Sequence, residues 1–187
     1  MKGCSPLTDA EIADILTSFG GQYAARDRAL FILGTKSGFR ISELLSLQIG
    51  DVIQSGKMVD RVTVRRARMK KKIEGRTVLL HPDAKTALSE WLEKLRVMGY
   101  MAVGDYVFQS RKGGNQPISK VQAWRIIRGV AAAAGVNGKV GTHSMRKTFA
   151  NAVYEKLDRD LVRTQRALGH RNVNSTVSYL SFREEDI

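Results

Sequence analysis

Residues able to manage a phosphate are spread along the chain in a few short stretches. Arg40 lies in "SGFRISELLSL", His143 and Arg146 in "GTHSMRKTF", and His170 and Tyr179 in "LGHRNVNSTVSYLSF". His143 and Arg146 are spaced i, i+3 near a helix start, so both side chains project together. Arg40 stands at the mouth of a short helix, where outward-pointing backbone N–H groups favour an anion. The run "RRARMKKK", Arg65 to Lys72, adds a dense block of positive charge. Three widely spaced histidines and one cysteine make a poor metal site, so no metal or other cofactor is expected. HExxH, G-x-S-x-G, Walker and GxGxxG patterns are all missing from the sequence. Phosphate chemistry here would therefore rely on protein cations and a protein nucleophile.

Taken singly, each residue also has an ordinary explanation. Arg40 can pair with Glu43, and His143 can cap its own helix. The basic run can be a solvated hairpin tip, and His170 can satisfy the last carbonyls of a helix. Tyr179 can be a half-buried packing residue.

The elements that must carry these residues are legible from periodicity. Thr8 and Glu11 form a T-x-x-E capping box ahead of Ile12, Ile15, Leu16 and Phe19, which follow a helical stripe. A second helix runs from about Gln22 to Lys36, with Gly38 placed to cap it, and "ISELLSL" is a short third one. The period then changes: Val62 and Val64 alternate with polar residues, a basic tip follows, and "TVLL" is apolar, which reads as two strands of a hairpin. A helix follows Pro82 and ends near Gly99. "DYVF" reads as a short strand and "SRKGGNQP" as a loop. Ser119 and Gln122 open a helix that Gly135 stops. Another begins near Thr142, with Met145, Phe149, Ala152 and Val153 on one face. Asp160 to Leu168 forms one more, and a last short helix starting near Asn174 carries Tyr179. The fold class is α+β, mainly α-helical, with a small antiparallel sheet.

The chain has 187 residues, enough for one sizeable domain, and no linker or internal repeat divides it. Thirty-one Lys and Arg against eighteen Asp and Glu leave a net charge of +13, which points to a polyanionic partner. No apolar run approaches the ~20 residues of a spanning helix, so nucleic acid fits better than a membrane. No signal peptide opens the sequence, and the single Cys4 fits a reducing cytoplasm.

In combination, the order Arg, Lys, His-x-x-Arg, His, Tyr resembles the catalytic domain of the tyrosine recombinases, the phage integrase family. The matching stretches are "SGFRISELLSL", "MKKKIEGRTVLLH", "GTHSMRKTFA" and "ALGHRNVNSTVSYLSF", and the resemblance extends from "PLTDAEI" almost to the end. It implies one catalytic domain over residues 1–187, without the N-terminal core-binding domain that most relatives carry. It implies that Arg40 and Arg146 grip the non-bridging oxygens of a scissile phosphodiester, through a planar fork that keeps its charge. Tyr179 would be the nucleophile that forms a 3′-phosphotyrosine link. Because a free tyrosine titrates near pH ~10, it needs a base, for which His143 is expected. His170 would donate to the phosphate and position it, and Glu43 would buttress the first arginine and histidine. A lysine would protonate the leaving 5′-oxygen; Lys70 is preferred on its context, with Lys71 and Lys72 as alternatives. Arg66, Arg68, Arg111 and Lys112 are expected to contact DNA.

The implied reaction is site-specific strand exchange on double-stranded DNA without metal or ATP. A type IB topoisomerase-like or telomere-resolvase-like strand transferase, or a DNA-binding regulator that has lost catalysis, are alternative readings. The implied assembly is a monomer in isolation and a homotetramer on DNA, nucleoid-associated in the cytoplasm, with accessory DNA-bending proteins as further partners. Few residues follow Tyr179, so its segment is expected to be sparsely supported before assembly.

Overall fold

The computed structural model of the chain describes residues 4–64 and 76–180. Arg66, Arg68, Lys70, Lys71 and Lys72 lie outside the described residues. Helix α1 (Asp9–Thr17) opens on the expected capping box: the Thr8 hydroxyl accepts from Glu11 N at 3.2 Å, and Glu11 Oε2 accepts from Thr8 N at 2.8 Å. Helix α2 (Ala24–Ser37) is buried on most of its circumference, because it runs through the core. It packs chiefly against α5 and α7.

Two short turns follow, α3 (Ile41–Leu44) and α4 (Ile49–Val52), and then a two-stranded hairpin of β1 (Ile53–Gln54) and β2 (Lys57–Met58). Ser55 and Gly56 both adopt positive φ there, as a tight hairpin turn requires. The expected larger hairpin is β3 (Arg61–Val64) against β4 (Arg76–Leu79), with Val62 opposite Val78 and Val64 opposite Arg76. Alternation buries Val62 and Val64 against the core, and the Thr63 and Thr77 hydroxyls meet across the exposed face at 2.8 Å.

Helix α5 (Pro82–Val97) begins with proline at its first turn and buries Leu88, Trp91 and Leu95. The Trp91 indole donates to Val107 O at 2.7 Å. "DYVF" differs from expectation: it makes an isolated bridge, Gln48 to Tyr106, and Val107 N donates to Leu47 O. Val107 and Phe108 supply buried apolar surface there, not a strand of a sheet.

Helix α6 (Lys120–Ala133) is capped by Ser119, whose hydroxyl accepts from Gln122 N at 3.1 Å. Helix α7 (Thr142–Lys156) crosses α2, α8 (Leu161–Leu168) ends on Gly169, and α9 (Val173–Val177) is capped by Asn172. Tyr179 lies two residues beyond α9 and not on it. A satellite cluster of Ala150, Leu168 and Leu180, with Phe149, Tyr154, Leu161 and Tyr179 packed on it, fastens this end of the chain to α7 and α8.

Candidate active site

Two helices end at the same place. Helix α2 terminates on Gly38, in the left-handed conformation, and Arg40 follows two residues later. Helix α8 terminates on Gly169, also left-handed, and His170 follows at once. The last carbonyls of each helix have no partner within their own helix, and two arginines from elsewhere supply one. The Arg146 guanidinium, from the first turns of α7, donates to Gly38 O and, at 2.8 Å, to Leu168 O. Arg76, the first residue of β4, donates to Ser37 O at 2.9 Å, Gly38 O at 3.1 Å and Ala167 O at 2.6 Å.

Glu43 sits beneath this centre, 2% exposed. Its Oε2 accepts from Arg40 N at 2.5 Å, and its Oε1 from Arg40 Nη1 at 3.2 Å. Arg146 Nη1 lies 3.9 Å from Oε2, so one carboxylate holds both arginines. Three guanidinium groups thus face one buried carboxylate, leaving a local excess of positive charge. Burial, the Arg40 charge and the opposing pull of Glu43 and Tyr179 set the Arg146 pKa at about 10, below its ordinary value. Burial and the Arg146 charge likewise lower Arg76 to about 10. Both remain cations at neutral pH. The Arg146 Nε–H is buried without a hydrogen-bond partner among the described residues.

His170 is buried against this charge. Desolvation first, then Arg146, Arg40 and Arg76, push its pKa down to about 4, so the ring is neutral at pH 7. Arg146 Nη2 stands 2.8 Å from Nε2, and Thr176 Oγ1 stands 3.0 Å from Nδ1. Arginine can only donate, which assigns Nε2 as acceptor and Nδ1–H as the donor to Thr176. The Tyr179 ring packs 5.2 Å from the His170 ring, centroid to centroid, and Arg146 Cζ lies 5.5 Å from the tyrosine centroid.

Arg40, Ser42, Lys120, Thr142, His143, Arg146 and Tyr179 line one cleft of about 300 Å³. Arg40, Glu43, His143, Arg146, His170 and Tyr179 are therefore brought together from three distant stretches. Arg111 and Lys112 stand apart, lining a second pocket of about 510 Å³ with Arg26, Gln122 and Arg125. A groove joins the two: it shares Ser42 and Lys120 with the cleft, and Gln116 to Ser119 with the second pocket.

Three contributors were missed in the sequence. Thr176 orients His170, yet reads only as a polar residue of a short helix. Lys120 carried a weak signal, since a lysine in the first helical turn opposes the helix dipole and so calls for another reason. Arg76 gave none beyond its place at the start of "RTVLL", because its partners are backbone carbonyls. Among the described residues, no cluster of three or more His, Cys, Asp or Glu could hold a metal ion, and no helix is long and apolar enough to cross a membrane.

This fold and this convergence of cations on a tyrosine are those of a tyrosine recombinase catalytic domain. The chain belongs to the phage integrase family, whose model matches residues 6–185. The probable integrase/recombinase YoeC of Bacillus subtilis (strain 168) is 34% identical over 160 residues, covering 86% of this chain and 80% of that protein. The XerA recombinase structure superposes with a TM-score of 0.80 at 23% identity, over 100% of this chain and 63% of that one. A lambda integrase tetramer bound to a Holliday junction gives 0.71 at 18% identity, over 97% of this chain and 49% of that one. The chain thus spans about half to just under two thirds of the length of these two structures.

Proposed function

We propose that the chain cleaves and rejoins DNA strands as a site-specific recombinase, with Tyr179 attacking in its own subunit's site. The observation that carries this is the placement of Tyr179 in the same cleft as Arg40, His143 and Arg146 of the same chain. The tyrosine oxygen attacks phosphorus, its proton passing to His143, the exposed histidine on the cleft wall. The bond from phosphorus to the 5′-oxygen breaks, and that oxygen takes a proton from one of Lys70, Lys71 or Lys72. A 3′-phosphotyrosyl bond and a free 5′-hydroxyl result. The phosphodiester energy is conserved, so a second 5′-hydroxyl reverses the attack without ATP.

Arg40 and Arg146 neutralise the charge that gathers on the non-bridging oxygens. An unsatisfied buried N–H costs about 1–3 kcal/mol, so the free Nε–H of Arg146 is a donor suited to one of those oxygens. His170 keeps the Arg146 guanidinium in place through Nε2. To donate to the phosphate through Nε2, it must both release that contact and gain a proton there, by a tautomer shift or by protonation.

Duplex DNA would lie along the groove from the cleft to the Arg111 and Lys112 pocket, contacted through its backbone by Lys120, Arg111 and Lys112, with Arg66 and Arg68 as further contacts. By kinship with lambda integrase, whose solved structure is a tetramer on a Holliday junction, a tetramer on DNA is the proposed working form. Accessory DNA-bending proteins are further candidate partners, and the site of action is the nucleoid.

A library of nicked duplexes incubated with the protein and then denatured in detergent tests the reading. The wild type should leave a detergent-stable protein–DNA adduct. Tyr179→Phe should leave none, while shifting duplex DNA with unchanged affinity. Equal adduct from both proteins would overturn the assignment.

A further inference from the structure

Arg76 does not line the catalytic cleft, yet it grips the helix ends that frame the site. Its guanidinium lies 5.4 Å from the Phe39 ring centroid and 5.8 Å from that of Phe149. From there its Nη groups reach Ser37 O and Gly38 O at the end of α2, and Ala167 O at the end of α8. Gly38 O is shared with Arg146, and Leu168 O, next to Ala167 O, is Arg146's other carbonyl. The two guanidinium groups therefore cross-brace the same pair of helix ends, one from the cleft side and one from behind. Those ends emit Arg40 and His170.

A cation placed at two converging helix C-termini is held by both dipoles, and a planar fork can serve three acceptors where an ammonium cannot match the same set. The approach leaves little slack. A Cβ on Gly169 would come within 3.2 Å of Arg76 Cδ, and one on Gly38 would overlap the Phe149 ring. With Arg76 shortened or reshaped, Gly38 O would lose one of its two donors among the described residues, and the bridge between the ends of α2 and α8 would rest on Arg146. That arginine would then be set by carbonyls free to move apart.

We infer that Arg76 is a positioning residue for the phosphate-binding centre. It fixes the spacing between the ends of α2 and α8, and so the placement of Arg40, Arg146 and His170 on the scissile phosphate. The inference rests on the strand-cleavage reading above, and it adds a residue that acts through others and touches no substrate.

The test compares wild type, Arg76→Lys and Tyr179→Phe in full-length protein. The substrates are two nicked duplexes, one with an ordinary scissile phosphodiester and one with a methylphosphonate there, which lacks one of the charged oxygens that the arginines serve. Misplacement of a reacting group by about 1 Å costs on the order of 100-fold, so Arg76→Lys should form adduct with the phosphodiester about 100-fold more slowly. On the methylphosphonate its deficit should shrink to about tenfold or less, because less charge awaits the displaced arginines. Duplex affinity should change by less than about threefold, since no phosphate contact is removed. Equal deficits on both substrates would overturn the inference, as would a deficit explained by lost DNA affinity. So would an Arg76→Lys protein that fails to fold, which would make Arg76 a residue of the fold alone. If wild type forms no adduct, or Tyr179→Phe forms as much, the strand-cleavage reading itself fails, a result distinct from any of these.

Discussion

Around Glu43 the arginines Arg40, Arg76 and Arg146 crowd a single buried carboxylate. These like charges repel one another, and an added anion such as a phosphate would offset that electrostatic stress. Removing Glu43's charge should expose that stress. Breaking a buried ion pair from one side costs roughly 3–5 kcal/mol, and Glu43→Gln should lose about that much in urea unfolding at low salt. Added inorganic phosphate should recover part of it, because an anion that binds only the folded state stabilises it by mass action. Unchanged stability in Glu43→Gln would contradict the picture. His170 makes a prediction in pH. Its folded pKa of about 4 lies below the value of 6.5 for a free histidine. Between these values the unfolded chain binds a proton that the folded site resists, so stability is complete above about pH 6.5 and falls as pH drops towards 4. At 1.36 kcal/mol per pH unit the loss is at most roughly 3 kcal/mol. His170→Gln should flatten that part of a stability–pH curve measured by chemical denaturation.

Helix ends, not helix faces, build this site, and that decides which substitutions matter among the elements. Gly38 and Gly169 both hold left-handed φ, which costs a residue with a side chain about 1–2 kcal/mol. Gly38→Ala adds an overlap with the rigid Phe149 ring, whereas at Gly169 the neighbour is the flexible stem of Arg76. Thermal unfolding should therefore show Gly38→Ala as the more damaging, by several degrees beyond Gly169→Ala; the reverse order would mean that the α2 terminus is not the stiffer joint. The same feature explains what the sequence could and could not convey. Capping boxes, Gly stops and period changes located α1, α2, α5, α6, α7 and the β3–β4 pair, because each depends on residues close in sequence. Arg40, His143, Arg146, His170 and Tyr179 stood out by type, order and motif. Arg76 did not, since nothing local links position 76 to carbonyls at 37, 38 and 167. "DYVF" misled because its apolar residues serve a packed crossing beside Trp91, where strand-like spacing arises without a ladder. Tyr179 was placed on a helix, but α9 stops at Val177, and the tyrosine is held by the satellite core and by His170. Its segment is thereby better supported than the few residues after it suggested.

At the scale of the molecule, the net charge is +13, and a groove leads from the cleft past Lys120 to a pocket lined by Arg26, Arg111, Lys112 and Arg125. If duplex DNA follows that groove, affinity should fall steeply with salt, and Lys120→Ala and Lys112→Ala should each lower the slope of log affinity against log salt by about 1. Unaltered slopes would move the DNA to another face. The claim on which all of this turns concerns a single covalent bond. A detergent-stable adduct trapped on nicked DNA, digested with protease and nuclease and sequenced by mass spectrometry, reports it directly. The account predicts a nucleotide joined to the peptide containing "STVSYLSF", on Tyr179. A nucleotide carried by any other residue, or a nicked duplex cut without a protein-linked product, would contradict it.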